Sequence, residues 1–407
     1  MEASIFHYFS LDYIFQRNMT RAILIISLFI LTFFSTSSFV IAYSVRIGVM
    51  LPLSGKLQHV GKSQLKALNL WIEQTTQSKG HSAPYIELVV EDSRSDPHYV
   101  KEIFDRLVIQ NQVVAILGGG SSTVAWELAF LAAKHQVPLL ITTASDDRIT
   151  EQDWKTVFRL CLPASEQLRA LGDFLSSKIK PRAVGILRQE TRFGQFGTFA
   201  LRRLFISQHL KVRVIQTYPV GTRCFHYFLA RMDRAGLDLL CLVASPQEAS
   251  IVLEQARAMG LKPRMVFGFG TPYATNGFYS VTWEGSQYLC TLTPWAYCAP
   301  YPGALEFKEE FLEAYGSLPT YHAAQAYAGG QVLADAIERA KSLSSKDIVE
   351  ALESTEMETV YGPVKFISYA KKDRQNRPPS LLVQWVDDRL EIIWPRELAT
   401  SSFHRWK

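Results

Sequence analysis

Val113-Val114-Ala115-Ile116-Leu117-Gly118-Gly119-Gly120-Ser121-Ser122-Thr123, followed one helix length later by Pro138-Leu139-Leu140-Ile141-Thr142-Thr143-Ala144-Ser145, is the stretch that decides the fold. Each half is a short apolar run that ends in small or hydroxylated residues. In an open α/β sheet, small ligands settle beyond the carboxyl ends of the strands, where backbone N–H groups and helix N-termini face an anion. Two neighbouring strand ends of this kind would supply two walls of a carboxylate trap. The glycines permit close backbone approach, and Ser121, Ser122, Thr123, Thr143 and Ser145 add hydroxyl donors without charge. The alternative reading is structural, since a Gly-Ser turn before a helix also serves as a cap and a tight turn.

Working outward, short β-branched runs alternate with amphipathic stretches of helical length, the mark of parallel, doubly wound sheets. Val45 to Leu51, Tyr85 to Glu91, Val113 to Leu117, Leu139 to Thr143 and Val157 to Leu160 are expected in one sheet. Ala183 to Leu187, Val212 to Thr217, Leu239 to Val243 and Met265 to Phe269 are expected in another. Ser245-Pro246-Gln247-Glu248 reads as a capping box with proline at the first helical position, and Gly260 closes that helix. Gly316 closes another helix, which holds Phe307 and Phe311.

The predicted fold class is α/β, two doubly wound parallel-sheet lobes joined by a three-strand hinge. The first crossing is placed at Pro163 to Ser165, the second near Gly285 to Thr291 and the third after Tyr361-Gly362-Pro363. Lobe I is then 43–163 plus 286–361, and lobe II is 164–285 plus 362–407. The tail contributes Val364 to Ile367 and a hairpin of Leu381 to Val386 and Leu390 to Trp394 about Asp387-Asp388-Arg389.

A chain of 407 residues with 48% apolar composition can build two or three cores. The formal net charge is +5, yet the charges are interspersed, which argues against nucleic acid as a partner. The densest basic stretch, Lys371-Lys372-Asp373-Arg374-Gln375-Asn376-Arg377, runs into Pro378-Pro379 and reads as a solvated loop. At the N-terminus, Arg21 precedes an apolar run from Ala22 to Leu31 that leads into Ser35-Thr36-Ser37-Ser38, a signal-peptide profile with cleavage expected after Ala42. Residues 1–18 read as an extended n-region or a start placed too early, with Met19 the other start, and a retained membrane anchor is the competing reading.

The five cysteines, Cys161, Cys224, Cys241, Cys290 and Cys298, leave at least one unpaired in an exported protein. Cys290 and Cys298 are near enough in sequence to close a loop, whereas Cys161 and Cys241 read as buried thiols. No CxxC pair or histidine spacing points to a metal, and no cofactor is expected. An enzyme is disfavoured by the missing G-x-S-x-G elbow, P-loop and G-x-G-x-x-G fingerprint.

In order and spacing, the mature chain resembles the type I periplasmic solute-binding proteins, the leucine/isoleucine/valine-binding family of ABC uptake systems. The residues that carry the resemblance are Ile47-Gly48-Val49 leading to Leu53-Ser54-Gly55 and Gly61, Glu91-Asp92 with Asp96-Pro97, Gly118 to Ser122, Val137 to Ile141, and Tyr321 through Tyr327. It implies that Ser122, with Ser121 beside it, binds a ligand carboxylate, and that Thr143, Ala144 and Ser145 supply a carbonyl and a hydroxyl. Members commonly bring a tyrosine before a glycine, an aromatic and an acidic residue from the second lobe. Here these fall on Phe193, Ser245 and the stretch Phe267-Gly268-Phe269-Gly270-Thr271, which contains no acid.

An ammonium in such a cleft would lack a charge-assisted bond of about 1.5–3 kcal/mol. The expected solute is therefore a small carboxylate, amino acid-like or a keto or aromatic acid, walled by Phe193, Phe269 and Tyr273. Asp146 or Asp147 could replace the missing acid, the other reading being turn residues that cap the next helix. The resemblance implies a periplasmic monomer whose partner is a membrane ABC permease. A ligand-sensing or envelope regulator on the same fold is the alternative.

Overall fold

Inner strands of a parallel sheet are buried on both faces, which is why they read as continuous apolar runs and not as alternating ones. The computed structural model describes residues 44–79, 85–275, 278 and 286–407. The signal-peptide segment lies outside these residues. In chain order the strands are β1 (Ser44–Leu51), β2 (Tyr85–Asp92), β3 (Ala115–Gly118), β4 (Leu139–Ile141) and β5 (Val157–Arg159), then β6 (Val184–Gln189), β7 (Val212–Tyr218), β8 (Leu239–Val243), β9 (Met265–Gly268) and β10 (Leu289–Thr293). The tail adds β11 (Glu356–Thr359), β12 (Gly362–Tyr369), β13 (Lys372–Asn376), β14 (Leu381–Val386) and β15 (Arg389–Trp394).

They form an eight-stranded sheet, β11-β12-β13-β5-β4-β3-β1-β2, and a seven-stranded sheet, β15-β14-β10-β9-β8-β6-β7. Pairing is parallel from β2 through β13 in the first sheet and from β7 through β10 in the second. The outer strands of the tail pair antiparallel. The strand order reverses between β1 and β3 in one sheet and between β6 and β8 in the other, so each sheet has a switch point where strand ends diverge and leave room for a ligand.

The first sheet is covered on one face by α2 (Val100–Asp105) and α3 (Ser122–Lys134), which with Met50, Ile116, Leu139 and Ile141 make one core. On the other face Ile47, Val49, Leu51, Leu117 and Leu140 join the core that includes α1 (Gln58–Lys79) and α9 (Tyr321–Arg339). The small residues of α9 let it lie close. A Cβ on Gly330 would come within 2.5 Å of the Trp71 ring, and one on Gly329 within 2.8 Å of Leu117. That close approach places the N-terminal turns of α9, with Tyr321 and Gln325, over the carboxyl ends of β3 and β4.

The second sheet packs α4 (Arg169–Phe174) and α5 (Arg192–Ser207) on one face. The other face receives α6 (His226–Arg234) and α7 (Pro246–Ala258). Helices α8 (Ala304–Tyr315) and α10 (Ser345–Glu353) complete the chain. The capping box forms as expected at its first half, with Ser245 Oγ accepting from Glu248 N at 3.3 Å. Its second half is redirected, because the buried Glu248 carboxylate accepts instead from Tyr218 Oη (3.1 Å) and Gly221 N (2.8 Å), and also from Gln189. Asp387 and Asp388 both take left-handed conformations, φ 45° and 68°, which suit the tight turn of the β14–β15 hairpin.

The chain passes between the sheets after β5, after β10 and after β13. Two of these passages depart from the sequence-based placement. Residues 289–293 form β10 inside the second sheet, so the second passage follows Thr293. Residues 362–376, expected with the second half, belong to the first sheet, where Gln375 of β13 pairs with Arg159 of β5. The basic stretch read as a solvated loop is therefore largely a strand. Its charges are tolerated because Lys372 reaches both Asp147 (2.8 Å) and Glu151 (2.7 Å), and Arg374 reaches Glu353. The first and third passages are tied together, Ser380 Oγ donating to Gln167 O at 2.9 Å and Arg169 to Pro378 O at 3.0 Å.

Candidate solute-binding cleft

Strand β4 ends at Ile141, and the hydroxyls that follow find side-chain partners. Thr142 and Thr143 both lie within reach of the Gln64 amide, at 3.4 and 2.8 Å. Thr143 and Ser145 then face a cleft of about 290 Å³, at the small end of ligand pockets. Opposite them, β9 ends at Gly268 and leads through Phe269 and Gly270 to Thr271 and Pro272, while the first two turns of α5 bring Phe193 and Phe196. The floor is made by the passages between sheets, with Cys161, Gln167, Thr293 and Ser380. Gly270, at φ 117°, adopts a backbone conformation that L side chains rarely take, and a Cβ there would meet the Phe193 ring at 3.4 Å.

Aromatic contacts give the wall its shape. Phe269 packs on Phe193 (centroids 5.8 Å) and on Phe196 (6.3 Å), and Phe267 lies beneath. Tyr321 of α9 meets Thr271 across the cleft at 3.4 Å, a polar contact between elements of the two sheets. Burial raises the pKa of the Tyr321 hydroxyl, so it stays protonated at neutral pH. No lining residue is charged among those described.

Of the residues expected at the site, Thr143, Ser145, Phe193 and Phe269 come together in this cleft. Ser121, Ser122 and Ala144 are not among its lining residues. Ser121 Oγ is engaged as the N-cap of α3, accepting from Val124 N at 3.3 Å, and Ser122 begins the helix. The Ala144 carbonyl accepts the Cys161 thiol at 3.3 Å and is buried.

Tyr273 is not part of the aromatic wall, because it is fully buried behind it with its hydroxyl donated to Ala244 O at 2.8 Å. Asp146 and Asp147 do not replace the missing acid. Asp146 caps the turn at Arg148 and pairs with that guanidinium, while Asp147 binds Ser165 N and Lys372. Sequence reasoning missed Phe196, Tyr321, Gln325 and Cys161. The i, i+3 spacing of Phe193 and Phe196 on one helix was the available signal for the first.

Two buried groups lie at the margin of the site. The Cys161 thiol has its pKa pushed up to about 11 by burial, with the nearby Arg159 charge opposing. Arg159 is wholly buried and meets no carboxylate directly; its guanidinium donates to Gln375 Oε1 (2.6 Å), Thr150 Oγ1 (2.8 Å) and the Asp146 carbonyl. Burial lowers its pKa, and Cys161 and Asp147 counter this. All five cysteines are free thiols, so the loop closure considered for Cys290 and Cys298 does not form. Cys298 Sγ instead donates to Leu390 O at 3.0 Å.

Residues 44–389 match the family model described as periplasmic binding protein. The chain belongs to that family. It is 22% identical over 372 residues to the Leu/Ile/Val-binding protein homolog 7 of Brucella melitensis, covering 88% of this chain and 93% of the relative. Its fold matches the branched-chain amino acid transporter substrate-binding protein of Streptococcus pneumoniae, solved with isoleucine, at TM-score 0.67 and 20% identity over 86% of this chain and 100% of the other. It also matches an ABC transporter solute-binding protein of R. palustris, solved with benzoate, at TM-score 0.66 and 19% identity over 86% and 95% of the two chains. The type I, leucine/isoleucine/valine-binding resemblance drawn from the sequence thus holds for family and fold. Among the described residues, no helix of this periplasmic binding protein is long and apolar enough to cross a membrane.

Proposed function

We propose that this chain is the extracytoplasmic solute receptor of an ABC uptake system, that it closes over a small carboxylate without an α-amine, preferably an aromatic or branched keto acid, and that it delivers this solute to a membrane permease. The observation that carries the reading is the lining of the cleft: phenylalanines 193, 196, 267 and 269 together with hydroxyls and amides, and no charged side chain among the described residues. A carboxylate can be held by neutral donors, which add geometry without a buried countercharge. An α-ammonium would find no acid among the described lining residues, and the buried Ala144 carbonyl already accepts the Cys161 thiol. The missing bond corresponds to a tenfold to hundredfold loss of affinity. The R. palustris relative in complex with benzoate supports the aromatic reading.

The two sheets act as the halves of a clamshell in this proposal, hinged at the passages after β5, β10 and β13. Solute touching both halves stabilises the shut form more than the open one, so occupancy is read as shape by the permease. Nothing in this cycle calls for a chemical step.

The test is a calorimetric and thermal-shift comparison of leucine, 4-methyl-2-oxopentanoate, phenylpyruvate and benzoate. The proposal expects the amine-free acids to bind at least tenfold more tightly and to compact the protein in small-angle scattering. Leucine binding best would refute the amine-free reading, and no response to any of these acids would refute the carboxylate site. Ser121 and Ser122 enter as the outer donors that the family resemblance assigns. Loss of binding in Ser122→Ala would extend the site to the start of α3, whereas unchanged binding would confine the carboxylate to Thr143 and Ser145.

A further inference from the structure

Behind the cleft lies a buried polar cluster in which the direction of each hydrogen bond can be worked out. Gln64 of α1 and Thr142 are both 0% exposed, and Thr143 is the member of the trio that lines the cleft. Gln64 Nε2 lies 2.8 Å from Thr143 Oγ1 and 3.4 Å from Thr142 Oγ1, and the two hydroxyl oxygens are 3.3 Å apart. Gln64 Oε1 is buried and meets no donor among the described residues. Turning the amide over would strand its two N–H hydrogens in place of one carbonyl, a worse arrangement because a buried carbonyl is more readily left without a partner than a pair of donors.

With the amide so placed, both threonine oxygens receive an N–H from Gln64. The Thr142 hydrogen needs an acceptor inside the protein, and among the described residues Thr143 Oγ1 is the side-chain oxygen within reach that can take it. Thr143 Oγ1 then accepts from Gln64 and from Thr142, and its own hydrogen has no acceptor left except in the cleft. The bonds therefore run one way, from the amide through the hydroxyls to the solute, and each link polarises the next.

We propose that Gln64, which touches no solute, is a positioning residue that fixes Thr143 as a hydrogen-bond donor, so that this wall selects an acceptor, the carboxylate, over a neutral group that must donate. The inference rests on the reading of the cleft as a carboxylate site, and it goes further by assigning the discrimination to a residue outside the lining. A hydroxyl free to rotate would serve an acid and its amide about equally, since it can donate or accept. One held by two donors can only donate, so either oxygen of a carboxylate suits it but only the carbonyl end of an amide does, its NH2 end being refused.

The experiment measures dissociation constants for benzoate and benzamide, and for 4-methyl-2-oxopentanoate and its primary amide, on wild type, Gln64→Leu, Thr143→Val and the double variant. Wild type is expected to favour each acid over its amide at least tenfold. Gln64→Leu should bring that ratio within about threefold, and Thr143→Val should weaken the acids at least tenfold while changing the amides little. In the double variant the losses should not add, because the first residue acts through the second.

If the acids bind but Gln64→Leu keeps the wild-type ratio, or if the two losses add, the relay is overturned while the carboxylate site stands. Thr143→Val is the smaller change and carries the test should Gln64→Leu not fold; acid binding within threefold of wild type in that variant also overturns the relay. If neither acid binds wild type, the carboxylate site itself falls, and the relay with it.

Discussion

Gly197 sits on α5 where the helix meets the aromatic wall, and a single methyl there tests whether that wall belongs to the binding site. A Cβ at this position would lie 2.6 Å from Val243 Cγ1 and 2.7 Å from Phe269 Cδ1, against 3.4 Å for the start of ordinary contact. Both shortfalls, about 0.8 and 0.7 Å, must be relieved, by α5 backing off β8 and by the Phe269 ring giving way. Val243 is wholly buried in β8, within the core of the second sheet, and has nowhere to go. Phe269 borders the cleft, so its ring gives way into the space proposed for solute. Overpacking costs about 1–3 kcal/mol, and alanine returns about 1 kcal/mol of helix propensity. Gly197→Ala should therefore lose no more than about 2 kcal/mol in urea unfolding. Its effect on binding should be larger in proportion, a tenfold to hundredfold rise in Kd for whichever acid binds wild type. A variant that binds with the wild-type Kd would mean that Phe269 does not shape the site, whatever happens to its stability.

Three further outcomes follow from buried groups. In the native protein Cys224 is the exposed thiol, while Cys161, Cys241 and Cys290 are buried and Cys298 has its pKa pushed up to about 11 by burial. Ellman's reagent at pH 8 should thus find one fast equivalent, and the remainder should react only in denaturant; a second fast equivalent would contradict the packing. Burial, and to a lesser degree the charge on His59, hold the His322 imidazole down at about 3. The unfolded chain takes up that proton at about 6.5, so stability is lost as pH falls from about 6.5 toward 3. Melting temperatures of wild type should drop between pH 7 and 5, and those of His322→Gln should drop less; equal slopes would refute the assignment. Arg159→Met should cost about 1.5–3 kcal/mol in urea unfolding, because Gln375 Oε1 and the Asp146 carbonyl lose their charged donor and keep only Thr150 Oγ1 (3.2 Å) and Ile149 N (3.3 Å); an unchanged unfolding midpoint would refute this role.

The inner parallel strands were legible because burial on both faces writes itself as continuous β-branched runs, and β1, β6, β8 and β9, with the edge strands β2 and β7, lie within a residue or two of where the sequence places them. What was not legible was pairing at long range. Nothing in Lys372-Asp373-Arg374-Gln375-Asn376 suggests an internal strand, since its stability comes from partners more than two hundred residues away, Glu151 for Lys372 and Arg159 for Gln375. The short strand β10 was hidden for a related reason, as its neighbours β9 and β14 flank it from both sides of the chain.

The site divides along the same line. Thr143, Ser145, Phe193 and Phe269 stand at strand ends or a helix start, positions that a local pattern reveals. Tyr321 reaches the cleft through the glycine-mediated approach of α9 to Trp71 and Leu117, which no local pattern contains.

A lining without charge does not leave the cleft without a field. Arg148, Arg159 and Lys372 face Asp146, Asp147 and Glu151, three cations against three carboxylates, so the cluster as a whole is balanced. It is not balanced in depth. Arg159 is wholly buried, whereas the side chains of Asp146, Asp147 and Glu151 are 22%, 27% and 24% exposed, so the carboxylates are screened by water while the guanidinium is not. The innermost charge is positive and stands two residues before Cys161, which forms part of the cleft floor. This arrangement sets a cation beside the cleft floor without offering a solute the guanidinium to grip. In the proposed function, a receptor that must give up its solute is better served by neutral donors at Thr143 and Ser145 than by a direct buried ion pair whose separation would leave a charge uncompensated.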